Sequence, residues 1–359
     1  MSSRTTFART LVCGALLGAA FISGPLSQPL SAQESLAMPA LSPQASVSRT
    51  IGLTAVAVDY HAPSVRGREI FGAMIPFDVV WRAGANGTTK VSFSDDVTVD
   101  GQPLAAGDYG LHMIPGAERW TVIFNNVSEG WGSYAYDPAL DALRVEVHPK
   151  TVAHGESMAF RFYDVGAEEA TLALHWGETL VPMTIGVDVV SAVLKPVREA
   201  ALADDDSPGA EFWFQAGDYG RDHGVDIAET MDWADRSIAV QRGFDNLWLR
   251  SELLGDKGDT AGAGEAREAA LQLADLNSLQ GLGYRYMLRE DMKNAAVVFE
   301  MVLSMEPTNW WPYVQMGKVK RSLGDDAGAI AALRAALDKN PDPVTRAEIE
   351  ANLSDLGAG

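Results

Sequence analysis

The hydrophobic period of this chain changes once, near residue 194, and that switch limits what it can fold into. Before it, apolar residues recur at every second position: Thr54-Val56-Val58-Tyr60, Val91-Phe93, Trp120-Val122-Phe124, Leu143-Val145-Val147, Met158-Phe160-Phe162 and Leu172-Leu174-Trp176. Period two puts successive side chains on opposite faces of a strand. Turn signals separate the runs, among them Asn86-Gly87, Asp100-Gly101, Gly107-Asp108, Pro115-Gly116 and Gly166. Between Leu143 and Val147 the alternate residues are Arg144 and Glu146, so one face is wet. Many short strands with one wet face describe an antiparallel sandwich or an open barrel.

Past the switch, Ala, Leu and Glu dominate, and pairs of residues recur 34 apart: Gly283 with Gly317, Ala295 with Ala329, Phe299 with Leu333, and Pro307 with Pro341. Small residues let two antiparallel helices approach, larger ones fill the groove, and proline closes the second helix. Leu282-Gly283, Tyr286, Ala295, Phe299 and Pro307 resemble the tetratricopeptide pattern, which has this period. The copy at 310–343 keeps Gly317, Ala329, Leu333 and Pro341, with Lys320 where an aromatic is usual. Residues 211–243 and 244–277 have the length of two degenerate copies, and 344–356 reads as a capping helix. Stacked hairpins bury one another's apolar faces, so four with a cap are self-consistent. The expected class is α+β multidomain: an all-β antiparallel sandwich followed by an all-α tetratricopeptide-like solenoid. The expected boundaries are 1–32 signal peptide, 33–41 linker, 42–190 β-sandwich, 191–209 connector and 210–359 repeats.

The signal peptide follows from order: Arg4 and Arg9, a 12-residue apolar core from Leu11 to Ile22, then Leu30-Ser31-Ala32. That core is shorter than the ~18–20 residues needed to span a bilayer. Cleavage near Ala32 removes the only cysteine, Cys13, and the mature net charge moves from −20 to −22. Such a charge argues against nucleic acid and anionic membrane as partners. The expected location is the periplasm or the medium, with no membrane span after processing.

Chemistry concentrates between Asp59 and Thr89, DYHAPSVRGREIFGAMIPFDVVWRAGANGTT. Glycine and proline at this density dictate a particular backbone path. The candidate ligand-binding residues are Arg82, Asn86, His61, Arg68, His112, Trp81 and Trp131. Arg68 and Arg82 are flanked by glycine, tryptophan and apolar residues. Each either pairs internally, with Asp59 or Asp78, or offers a guanidinium fork to a carboxylate, a sulfate or a sugar hydroxyl. Asn86-Gly87 is a two-residue hairpin signal. The cluster Trp131-Gly132-Ser133-Tyr134-Ala135-Tyr136 stacks ligands if exposed and is core if buried. The histidines lack metal-ligand spacing, and neither Ser64 nor Ser133 stands in a nucleophile motif. No catalytic residue, metal or cofactor is assigned.

The β half resembles a known family, the bacterial domain of unknown function numbered 2911. The resemblance spans about residues 42–185 and is carried by Gly67-Arg68, Ile70-Phe71-Gly72, Trp81-Arg82, Gly84-Ala85-Asn86, Trp120-Thr121-Val122-Ile123-Phe124, Trp131-Gly132-Ser133 and Tyr136-Asp137. It implies export and, in some members, helical repeats downstream, but no chemistry. The expected function is an exported, non-enzymatic binding protein. Its β domain would take a small anionic or sugar ligand, and its repeats would dock a protein or peptide. The alternative is an envelope hydrolase with a site around His61, Arg68, Arg82 and His112.

Overall fold

A computed structural model describes residues 38–203 and 208–358; the segment read as a signal peptide lies outside them. Among the described residues, ten strands precede the α-helices. They are β1 (Gln44–Ile51), β2 (Thr54–His61), β3 (Thr89–Phe93), β4 (Val97–Val99), β5 (Gln102–Leu104), β6 (Gly107–Ile114), β7 (Trp120–Asn125), β8 (Asp141–Val147), β9 (Lys150–Tyr163) and β10 (Glu169–Val187). They form a six-stranded sheet in the order β1-β2-β3-β6-β7-β8 and a four-stranded sheet in the order β5-β4-β10-β9. The strand pairings are antiparallel.

The period-two residues are the ones that meet. Val56, Val58, Leu111, Val122 and Phe124 of the first sheet share one buried cluster with Val99, Met158, Phe160, Leu172 and Leu174 of the second. Each such side chain, fully buried, contributes about 1.5–3 kcal/mol. The sandwich is thus held by its inner faces.

The first helix, α1 (Val189–Ala203), occupies most of the 191–209 stretch. It buries Leu194 and Val197 against Trp213 and Trp233, while Lys195 reaches back to Asp95 at 3.4 Å. The helical hairpins are α2 (Ala210–Asp222) with α3 (Ile227–Val240), α4 (Phe244–Asp256) with α5 (Thr260–Leu271), α6 (Leu276–Leu288) with α7 (Met292–Met305), and α8 (Trp311–Ser322) with α9 (Asp326–Asp338). The final helix, α10 (Pro343–Asp355), covers the last of them, burying Ile349 and Leu353 against Leu333. Every second helix of a hairpin starts the same way. Asp226, Asp259, Asp291 and Asp325 accept N–H bonds from the first turns of α3, α5, α7 and α9, caps worth about 1 kcal/mol each.

The repeated glycine has a steric cause: a Cβ on Gly283 would lie 2.6 Å from Phe299, and one on Gly317 2.8 Å from Leu333. Trp310 and Trp311, adjacent in sequence, pack into two different clusters. Trp311 meets Tyr284 and Phe299 edge-on. None of the helices among the described residues is long and apolar enough to cross a membrane.

Candidate functional site

The motif-rich stretch is a long loop from 62 to 88 between β2 and β3, and it ties the two sheets together. At its start, Ser64 bridges to Ser157 of β9, with Val65 N–H donating to the Glu156 carbonyl at 2.8 Å and Met158 N–H to that of Pro63 at 2.9 Å. At its end, Trp81 pairs with Met113 of β6, both N–H···O bonds forming at 2.8 and 2.7 Å. Phe71 anchors the middle, its ring centroid 4.6 Å from Trp120 and 5.9 Å from both Trp81 and Trp176. The path is strained as well as long. Arg66, Asp78, Ala83 and Asn86 all take left-handed backbone, with φ between 51° and 61°. Non-glycine residues held this way cost energy and cluster at functional sites.

Between the anchors lies a cavity of about 420 Å³, lined by Arg66, Arg68 and Arg82 together with Ser64, Met74, Ile75, Trp81 and Trp176, among others. Among the described residues no carboxylate lines it, in a chain whose net charge is −20. Arg66 gives Nη2 to the Leu41 carbonyl at 3.1 Å. Arg68 gives Nε and Nη2 to the carbonyls of Val65 and Ser64, at 3.0 and 2.6 Å. Arg82 is half-buried, and its Nε is buried with no hydrogen-bond partner. Burial holds its pKa below the ordinary value for arginine, with Tyr134 acting the other way. The indole N–H of Trp176 is also buried and unpartnered, while that of Trp81 donates to the Gly84 carbonyl at 3.0 Å. A buried donor left unmade costs about 1–3 kcal/mol. Both residues line the cavity, while these two nitrogens are themselves closed off from solvent.

Beside Trp176 lies a β-bulge. The β9–β10 register shifts on either side of Gly177, which takes φ 59° with Ile70 only 3.2 Å from where a Cβ would be.

Residues 42–185 match the family model described as "Protein of unknown function (DUF2911)". The match to DUF2911 takes in both sheets and the loop between β2 and β3. No curated protein matches the chain. Solved structures similar to it include the MamA protein (16% identity, TM-score 0.25, covering 42% of this chain and 80% of that one). Another is YrrB, described as a TPR protein with an unusual peptide-binding site (16%, 0.26, covering 45% and 88%). A third is a thermophilic TPR protein of Thermus thermophilus (15%, 0.29, covering 47% and 90%).

The DUF2911 domain gathers only some of the expected site residues. Arg68, Arg82 and Trp81 meet at the cavity. Their expected carboxylate partners are not there: neither arginine pairs with Asp59 or Asp78, and Arg68 is exposed and bonded to carbonyls instead. Trp81 is core, 5% exposed and stacked on Trp176 at 5.9 Å. Asn86-Gly87 turns no two-residue hairpin, because β2 ends at His61 and β3 starts only at Thr89. Asn86 instead accepts the Gly132 N–H at its carbonyl (3.0 Å) and holds the Ser42 carbonyl through Nδ2 (3.4 Å). Trp131 is 69% exposed and neighbouring Tyr134 89%, so that cluster is surface rather than core.

The two candidate histidines line separate hollows, His61 with Asp59 and Lys90, His112 with Asn125 and Tyr136. His112 Nδ1 lies 3.2 Å from Ser133 Oγ. Burial pushes the His112 pKa down to about 4, only partly countered by Asp141. So weak a base does little to activate a hydroxyl at neutral pH. Asp141 is engaged elsewhere, by Tyr136 (2.8 Å), Arg144 (2.6 Å) and Asn125 (2.8 Å). Among the described residues, no group of three or more His, Cys, Asp or Glu is placed to hold a metal.

Arg66 and Trp176 line the cavity too, and sequence patterning passed over both. Arg66 had a signal, standing one residue before Gly67-Arg68. Trp176 had none, since its alternation with Leu172 and Leu174 marks it as core.

Proposed function

We propose that this is an exported, non-enzymatic binding protein whose DUF2911 domain captures a small anionic ligand and whose helical repeats dock a protein or peptide. The observation that carries the first part is a cavity onto which three arginines converge and which no carboxylate lines among the described residues. Guanidinium forks without a carboxylate partner are suited to an anion. Export rests on the residue 1–32 pattern, and docking on the array of hairpins with exposed apolar positions such as Tyr284 and Leu288.

A panel of small anions, added to the full chain while its thermal midpoint is followed, tests the cavity. A ligand that binds only the native state raises that midpoint by mass action. Stabilisation by at least one anion is expected, and its disappearance in Arg82→Ala. The proposal is sunk if Arg82→Ala responds to the same anions as the parent. Intact-mass measurement of the native protein checks export: the mature chain should begin near Gln33, and an intact Met1 or a lipidated Cys13 would overturn it.

A further inference from the structure

The outer face of the first sheet carries a second, smaller buried layer with a titratable side chain in it. Leu111, Met113, Val122 and Phe124 point into the sandwich, so the alternating residues His112, Ile123 and Asn125 point the other way. These three are nonetheless closed off from solvent, at 3%, 0% and 1% exposure. The segment 126–140, which joins β7 to β8, covers them.

Its attachments are polar and close. Gly110 lets the segment approach, because a Cβ there would overlap the Val127 carbonyl oxygen. Asn125 holds both of its ends: the carboxamide oxygen accepts the Val127 N–H at 2.9 Å, and Nδ2 donates to the Asp137 carbonyl at 3.0 Å. In the middle, Ser133 Oγ lies 3.2 Å from His112 Nδ1, and the Tyr136 ring stands 4.9 Å from the imidazole. Thr88 N–H donates to the Gly130 carbonyl at 3.0 Å.

We propose that segment 126–140 is a pH-operated latch, closed over the sheet while the His112 imidazole is neutral and opened, with the sandwich core intact, by its protonation.

The surroundings of the imidazole carry this. Among the described residues its one hydrogen-bond partner is Ser133, whose hydroxyl cannot neutralise a charge. The hollow beside it, about 10 Å³, leaves no room for a hydration shell. The charged or titratable groups around it are Asp141 and Arg144 from β8, Tyr136 and Glu129 from the segment, Lys90 from β3, and Arg82 near Gly132. Lys90 already faces Asp108 at 3.6 Å. Asp141 favours the imidazolium, but it is bonded to Arg144, Tyr136 and Asn125, and burial outweighs its pull. A charge formed there must reach water. With the closed-state pKa held down to about 4, below the ordinary 6.5, the open form takes up the proton first. Acid therefore favours opening, by about tenfold per pH unit across that window.

Opening can stay local. The segment contains no β-strand, and neither His112 nor Ile123 belongs to the cluster that joins the two sheets. Trp131 and Tyr134, which it carries, are already exposed and lose little by moving.

Amide hydrogen exchange of the full chain, read by mass spectrometry from pH 7 to pH 4.5 and corrected for the intrinsic pH dependence of exchange, tests the latch. Protection in 126–140 should fall about tenfold per pH unit below pH ~6.5 while β6 and β7 keep theirs, and His112→Gln should abolish the dependence. Gly110→Ala, whose Cβ meets the Val127 carbonyl, should leave the segment unprotected at every pH and serves if His112→Gln fails to fold. Protection that persists in 126–140 at pH 4.5, or is lost only together with β6 and β7, would overturn the latch. So would an unchanged pH dependence in His112→Gln, or a protected segment in Gly110→Ala at pH 7.

Discussion

Arginine is used in opposite ways in the two halves of this molecule. In the helical half the partly buried guanidiniums face carboxylates. Arg221 meets Glu252 at 3.3 Å and Asp256 at 2.6 Å, Arg285 meets Asp245 at 2.6 Å, and Arg289 meets Asp218 at 2.7 Å and Asp222 at 2.8 Å. These pairs link α2, α4 and α6 along the face made by the first helices of the hairpins, joined by the Trp248–Tyr286–Glu252 chain of hydrogen bonds. Even there Arg289 keeps one unpartnered nitrogen, Nη1. In the DUF2911 loop, Arg66, Arg68 and Arg82 converge on a cavity that no carboxylate lines among the described residues. Burying a guanidinium is costly, and a carboxylate partner offsets that cost internally. Where the partner is missing, the binding capacity stays available. The paired set is scaffold, and the unpaired set is the one we propose as site.

The sharpest way to break this contrast is Arg289→Met. It leaves Asp218 and Asp222, 20% and 33% exposed, facing each other without a cation. A loss of roughly 3–4 kcal/mol in urea denaturation is expected, toward the lower end for a buried pair because Asp222 is partly solvated. A loss under about 1 kcal/mol would mean the helical pairs are as dispensable as surface ones.

Next in size is a pH effect that belongs to the DUF2911 domain yet not to its arginines. His112, 3% exposed, has its pKa held down to about 4, against about 6.5 when unfolded. A folded-state pKa below the unfolded one means the unfolded chain takes up the proton first. Stability is therefore complete above pH ~6.5 and declines as pH falls toward 4, by about 3 kcal/mol in all. The His112→Gln variant should flatten this part of the pH–stability curve. An unchanged slope would place the acid sensitivity elsewhere.

Smaller still is Arg68→Ala. An exposed residue giving up hydrogen bonds to two carbonyls should cost about 1 kcal/mol, not the 3–5 kcal/mol of a severed buried pair. The smallest expected effect is that of Arg82→Ala, within about 0.5 kcal/mol, because the buried Nε has no bond to lose. Thermal denaturation of the two variants side by side checks both values. A drop above about 2 kcal/mol for Arg82→Ala would place that residue with the scaffold arginines.

Much of the architecture was legible in the residues because it depends on local repetition. Alternation in Thr54–Tyr60 and Leu172–Trp176 requires a strand with one buried face, wherever the partner strand lies. Pairs 34 apart such as Gly283 and Gly317 require a close helix–helix approach in each copy. The aspartate caps of α3, α5, α7 and α9 act within a few residues of themselves. The candidate site was legible in part. The Gly- and Pro-rich loop marked Arg68, Arg82 and Trp81 as neighbours of a ligand, and they do share a cavity.

The tertiary structure decided what those residues do there, because that depends on contacts between distant segments. Arg66 meets Glu156 from 90 residues away, through its backbone N–H. Only after the loop has crossed from β9 to β6 is it settled that no carboxylate reaches Arg68 or Arg82. The same holds for Asn86, drawn to Ser42 and Gly132 rather than into a hairpin. Periodicity determined which faces are buried, since burial is a demand each element carries by itself. Which charges go unpaired was determined by packing, since a partner's absence is a property of the whole fold.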